Sequence, residues 1–189
     1  MRNSASAADQ RRFRELEGYF RTYGERYRFD QLLLAAQGYQ ESGLDQARRS
    51  PSGAVGVMQL LPSTARDPNV DIAGIDKVEN NIHAAAKYLR HVMDTFFDDP
   101  TIDEFDRMLL ALAAYNAGPA KIARLRRETA RRGLDPNRWF DNVELAVAKD
   151  VGRETVQYVA NILKYYVVYE RIASATAERK EVLSTFKNP

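Results

Sequence analysis

Along most of the chain, apolar residues return every three or four positions, and runs that alternate strictly between apolar and polar are nearly absent. A helix repeats every 3.6 residues and a strand every 2, so the pattern predicts an all-α fold in which any strand is short. Phe13, Leu16, Phe20 and Tyr27 give a loose amphipathic helix near the start. A second helix is predicted from about Asp30, a suitable N-cap, through Leu33, Ala36 and Gln40, with Gly43 ending it. From Asp45 to Asp71 the segments Ser50-Pro51-Ser52-Gly53, Gly56 and Leu61-Pro62-Ser63-Thr64 punctuate too densely for one regular element, which predicts loop, short helix, loop.

The clearest helix follows, with Ile82, Ala85, Ala86, Leu89, Met93 and Phe96 on one face and Asp76 with Glu79 as a capping pair at its start. Thr101 and Glu104 repeat the capping pattern before Phe105, Met108, Leu109 and Leu112. Gly118-Pro119 stops that helix beside Tyr115 and Asn116 and can start the next. Arg124 to Arg132 reads as an exposed helix, and Gly133 to Asn142 as a longer excursion around Trp139. Val159, Ile162, Tyr166 and Tyr169 mark a long closing helix from Arg153 to about Ile172, and the charged tail after Glu178 is expected to fray. No internal repeat is present.

Composition narrows the picture. A chain of 189 residues with 44% hydrophobic content suits one compact domain. Lys plus Arg total 28 and Asp plus Glu 26, and the resulting net charge of +2 gives no electrostatic reason to expect nucleic acid as partner. With no cysteine, a disulfide scaffold and a thiolate zinc site are excluded, while the redox compartment stays open. His83 and His91 are too far apart to ligate from adjacent turns and lack an accompanying metal motif, so no metal site is expected. Met1 to Arg12 lack the apolar core of a secretory signal, and no stretch approaches the roughly 18 apolar residues of a membrane span. If the protein is exported, its signal is expected upstream of this sequence.

Among the ionisable residues, Glu41 lies near the end of the second helix on a face shared with Leu34 and Gln37. A carboxyl on a largely apolar face is desolvated, which raises its pKa and keeps it protonated near neutrality, as a general acid requires. A helix-terminal glutamate paired with an arginine is the alternative, and one glutamate does not decide between them. Glu154 and Tyr158 stand one turn apart on the closing helix and can face one groove. Tyr39, Tyr88, Trp139, Tyr165 and Tyr166 offer flat faces for stacking, but aromatic residues at this spacing are more often core.

Wider context comes from ordered segments: Gln40-Glu41-Ser42-Gly43, Ser50-Pro51-Ser52-Gly53-Ala54, Gly56-Val57-Met58-Gln59-Leu60, Ala113-Ala114-Tyr115-Asn116-Ala117-Gly118-Pro119 and Glu154-Thr155-Val156-Gln157-Tyr158-Val159. Together, from about Phe29 to Tyr169, they resemble the soluble lytic transglycosylase family. Within it the chain is most similar to the catalytic module of the membrane-bound lytic murein transglycosylase F group, whose relatives carry an upstream domain similar to solute-binding proteins; no such domain is expected in this sequence. The resemblance implies a lysozyme-like single domain with a glycan-binding groove, organised as a helical extension over residues 1–28, a catalytic domain over 29–177 and a tail over 178–189.

For chemistry, the resemblance implies peptidoglycan glycan strands as partner, no cofactor, and cleavage of the β-1,4 bond between N-acetylmuramic acid and N-acetylglucosamine. The product carries a 1,6-anhydro end, with Glu41 as acid and then base. By resemblance, Ser50 and Gln59 are cleft residues for the muramic N-acetyl group, against readings as a loop cap and a backbone brace. Gly56 allows close backbone packing near the sugar, and Met58 is either a polarizable substrate contact or core filler. Tyr115 matches a tyrosine expected to hydrogen-bond the Glu41 carboxyl, against a phenol satisfied by a backbone carbonyl, with Asn116 beside it. Glu154 and Tyr158 match positions near bound glycan or peptide stem, with a structural role open for Tyr158.

The rival activities are a hydrolytic muramidase, for which Asp45, Asp67 and Asp71 are second carboxylates by sequence proximity only, and a catalytically silent glycan-binding module. A nucleic-acid or partner-binding helix at Arg124 to Arg132 is a further alternative. Substrate geography implies the periplasm, with outer-membrane association of the intact protein. Oligomeric state, and whether cleavage begins at strand ends or internally, are not readable from sequence.

Overall fold

The computed structural model describes residues 7–185, so residues 1–6 of the expected extension and 186–189 of the expected tail lie outside it. Within that range the helices are α1 (Ala7–Tyr27), α2 (Gln31–Ser42), α3 (Pro62–Ala65), α4 (Val78–Phe96), α5 (Glu104–Ala117), α6 (Pro119–Arg131), α7 (Glu144–Asp150) and α8 (Arg153–Thr185). A kinked turn, Trp139–Val143, joins α6 to α7. The only extended pairing among the described residues is the isolated bridges Arg49 to Val55 and Val55 to Leu60. The fold is all-α, as the periodicity predicts.

Local chemistry sets the ends of α2. Asp30 is extended and its carboxylate accepts from the Leu32 N–H at 2.6 Å, while Gly43 takes the left-handed φ of 67° that closes the helix. Two expected caps are not formed. Lys77, with no side-chain bond, is the N-cap of α4, and the Asp76 carbonyl instead accepts from Gln46. Asp103 caps α5 through the Phe105 N–H, whereas Thr101 Oγ1 donates to Asp99 in the preceding turn. The closing helix also runs past Ile172 to Thr185.

α2 packs between α1 and α8, α4 packs on α1 and α5, and α5 also meets α6 and α8. Their facing sides form one principal core that includes Phe20 and Tyr23 of α1, Leu33 and Leu34 of α2, Leu89 of α4, Leu109 and Leu112 of α5, and Ile162 of α8. A smaller cluster of Leu60, Ala65, Val70, Ile75 and Ala84 lies under the loop that follows α2. The arginine-rich helix is not wholly exposed: Ile122 and Leu125 of α6 are buried, Arg126 pairs with Asp99 at 2.6 Å, and Arg132 with Asp150 at 2.8 Å. Its basic charge is therefore partly spent inside the fold. Trp139 is buried too, and the excursion around it is an anchored corner rather than a free loop.

Candidate active site

Gly38, one turn before Glu41, lets the loop after α2 press against the helix. A Cβ there would lie 3.0 Å from Val57 Cγ1 and 3.2 Å from both Leu44 Cδ2 and Met58 Sδ. Ser42 Oγ bonds the Val57 carbonyl at 2.8 Å and accepts from the Asp45 N–H at 3.0 Å. Fully buried Asn81 of α4 holds the same strip from the other side, accepting from the Met58 N–H and donating to the Val55 carbonyl, both at 2.8 Å. Gln46 accepts from the Val57 N–H and donates to the carbonyls of Ile75 and Asp76. Gly56, at φ 78°, leaves the space this amide needs: a Cβ would sit 2.5 Å from Gln46 Oε1. Residues 46–60 thus form a wall tied to α2, within one turn of Glu41, and to α4, despite their loop-like sequence.

Glu41 faces an open cavity of about 340 Å³ between α2, the end of α5 and α8. Gln40 and Asn116 line it together with Glu154, Gln157, Tyr158 and Asn161 of α8. The Tyr158 phenol donates to Glu41 Oε1 at 2.6 Å and accepts from Gln37 Nε2 at 3.3 Å. Burial pushes the Glu41 carboxyl up to about 7, against the Tyr158 hydrogen bond and the nearby Arg48 charge, which both pull it down. Burial, and then the neighbouring Glu41 carboxylate, also push the Tyr115 and Tyr158 phenols well above their usual range, so both are neutral donors throughout the pH range of interest. Among the described residues, no group of three or more His, Cys, Asp or Glu could hold a metal ion.

Four of the sequence-predicted site residues therefore meet: Glu41, Asn116, Glu154 and Tyr158 line one cavity. Four others are placed differently. The Tyr115 hydroxyl donates to the Met58 carbonyl at 2.8 Å, so the phenol that bonds the Glu41 carboxyl is Tyr158 instead. Met58 is fully buried and its side chain packs in the principal core. Ser50 Oγ accepts from the Ala54 N–H and pairs with Ser52 Oγ, the loop-cap arrangement. Gln59 has a left-handed φ of 44° and its amide donates to the Gly56 carbonyl at 2.9 Å, the backbone-brace arrangement. The second carboxyl in the cavity is Glu154, not Asp45, Asp67 or Asp71.

Residues 18–136 match the Transglycosylase SLT domain family. The chain belongs to this family. It is 33% identical over 186 residues to the membrane-bound lytic murein transglycosylase F of Pseudomonas fluorescens, covering 92% of this chain and 37% of that protein. Against the transglycosylase of the same name from Marinobacter nauticus the identity is 35% over 181 residues, covering 89% of this chain and 35% of that protein. The chain thus spans little more than a third of the length of such relatives. Its fold is similar to that of an inactive mutant of lytic transglycosylase Slt from Pseudomonas aeruginosa, with a TM-score of 0.63 and 27% identity over 84% of this chain and 24% of that one. The 70 kDa soluble lytic transglycosylase from Escherichia coli gives a TM-score of 0.62 at 26% identity, over 82% of this chain and 24% of that one. The fold is the lysozyme-like one of these SLT-family enzymes.

Gln37 and Gln157 stand in the sequence beside the expected site without a role of their own, and Gln46, Asn81 and Asn161 go unmarked there; Gln37, Gln46 and Asn81 fix the site from behind, and Gln157 and Asn161 line it. A signal exists for those that lie on helices. Gln37 and Asn81 are polar residues on otherwise apolar faces, and Glu154, Gln157, Tyr158 and Asn161 follow i, i+3, i+4, i+7.

Proposed function

We propose that this domain cleaves the glycan strands of peptidoglycan as a lytic transglycosylase, with Glu41 as general acid and then general base. The observation that carries the reading is the placement of Glu41, a largely buried carboxyl that still lines an open, polar-lined cavity, where desolvation raises its pKa to about 7. At neutral pH such a group is shared about equally between acid and base forms, which suits one residue asked to do both proton transfers. As acid, Glu41 protonates the departing glycosidic oxygen. As base, it takes the proton of the muramic C6 hydroxyl, which closes on C1 to give the 1,6-anhydro ring. Tyr158 holds Oε1, so Oε2 is the oxygen free to meet the sugar.

The same reading gives Asn116 and Glu154 to glycan contact, and gives Ser50, Gln59 and Tyr115, whose side chains bond the backbone of the loop after α2, to shaping the rim of the cleft. The P. fluorescens relative is a membrane-bound murein transglycosylase, and we extend its substrate class to this chain, with periplasmic action of the intact protein. No helix among the described residues is long and apolar enough to cross a membrane. Residues 29–177 are taken as the catalytic unit.

One observation favours a second reading. Glu154 shares the cavity with Glu41, and two carboxyls flanking a glycosidic bond are the equipment of a hydrolase. Release of soluble fragments from purified sacculi by Glu41→Gln and Glu154→Gln separates the two. The lytic reading expects Glu41→Gln to lose about 10²–10⁴-fold in rate and Glu154→Gln to stay within roughly tenfold of the parent. Equal losses in both variants would give the reaction to a pair of carboxylates.

A further inference from the structure

Gln37 lies one turn before Glu41 on α2 and is fully buried. Its Nε2 donates to the Tyr158 phenol at 3.3 Å, that phenol donates to Glu41 Oε1 at 2.6 Å, and Gln37 Oε1 has no partner. A phenol has one proton. While that proton is donated to Glu41, Tyr158 can only accept from Gln37, so the amide must present its nitrogen. With the amide turned over, Oε1 would compete with Glu41 for the phenolic proton and the NH2 group would lose its partner. Leaving one carbonyl oxygen unpaired is the lesser cost, yet it is still a cost. A methionine or leucine would fill the same space without it, so packing does not account for a glutamine here.

We propose that Gln37 is a positioning residue, which keeps the Tyr158 proton directed at Glu41 Oε1 and so reserves Oε2 for proton exchange with the sugar. The catalytic consequence rests on the acid–base reading of Glu41; the hydrogen-bond chain does not. A hydroxyl that accepts one bond donates a stronger one, and a stronger bond to Glu41 favours its carboxylate form. The other charged or titratable groups near Glu41 are Arg48 from the loop, Tyr115 from α5 and Glu154 from α8, and none changes when Gln37 is replaced.

The test follows the Glu41 side-chain carboxyl carbon by NMR through a pH titration, with the signal assigned by its absence in Glu41→Gln. Parent protein, Gln37→Met, Gln37→Leu, Tyr158→Phe and the Gln37→Met/Tyr158→Phe double variant are compared. Gln37→Met and Gln37→Leu are expected to raise the proton affinity of Glu41 about two- to fourfold, to keep the thermal midpoint at or above that of the parent, and to have no effect once Tyr158 is phenylalanine. An unchanged titration in both apolar variants, a shift that persists without Tyr158, or failure of both variants to fold would overturn the proposal. The titration needs no glycan. Loss of the anhydro product with the titration as expected would therefore remove the function and leave the positioning role of Gln37 standing.

Discussion

Replacing Glu41 by glutamine is expected to stabilise the protein at pH 8 and to leave it nearly unchanged at pH 4. Burial holds the carboxyl at about 7 in the folded chain, against 4.5 for the ordinary group. At about 1.4 kcal/mol per pH unit, ionising Glu41 costs the folded state about 3 kcal/mol more than the unfolded one. The sign follows from proton counting. Between pH 4.5 and about 7 the folded chain still holds a proton that the unfolded chain has lost, so stability falls as pH rises through that window and is level above it. Glutamine keeps the shape and an acceptor for Tyr158 but has no charge to bury. The gap between variant and parent should open from near zero at pH 4 to about 3 kcal/mol at pH 8, while every other titrating group cancels in the comparison. Urea unfolding followed by circular dichroism reads this as a midpoint gain of roughly 1.5 M at pH 8. A stability difference that is the same at both pH values would refute the claim that Glu41 is a desolvated carboxyl.

Three further predictions follow from the same geometry. Tyr158→Phe removes the hydrogen bond that favours the carboxylate, so Glu41 should hold its proton to higher pH and the alkaline limb of kcat/KM should move upward; a limb that stays or moves down would assign the pKa to other contacts. Gly56→Ala drives a methyl group into the Gln46 amide from a left-handed backbone, and should lower stability by about 1–3 kcal/mol, read as a fall in Tm, and slow turnover through displacement of the wall beside Glu41. Trp139→Ala should cost about 3–5 kcal/mol in urea unfolding, because the corner it anchors has no other large buried side chain; a cost below 1 kcal/mol would mean the corner is not packed as described.

Where a feature depends on neighbours in sequence, it is legible from sequence. Asp30 and Gly43 bracket α2 through bonds that reach two to five residues, and the apolar stripes of α4 and α8 announce which faces are inside. Glu41 stands out for the same reason, since helical spacing alone puts it on an apolar face. The misread features depend on distance. Capping patterns at Asp76 and Thr101 are chemically suitable, but the residues that turn extended before the helices are Lys77 and Asp103, and that is decided by where the preceding loop is tied. Likewise two tyrosines could reach Glu41. Tyr158 does so across 117 positions, while Tyr115, although near Glu41, commits its hydroxyl to the Met58 carbonyl, a contact set by how α5 meets the loop. Ser50 and Gln59 show the remaining limit: their side chains serve the loop's own backbone, a use that residue type and spacing do not distinguish from a grip on substrate.

The most direct measurement is mass spectrometry of the fragments released from purified sacculi by the parent protein and by Glu41→Gln. Fragments ending in 1,6-anhydro-muramic acid from the parent, and none from the variant, are the predicted result. Fragments with reducing ends would contradict the account, because they require water, and not the muramic C6 hydroxyl, to attack C1.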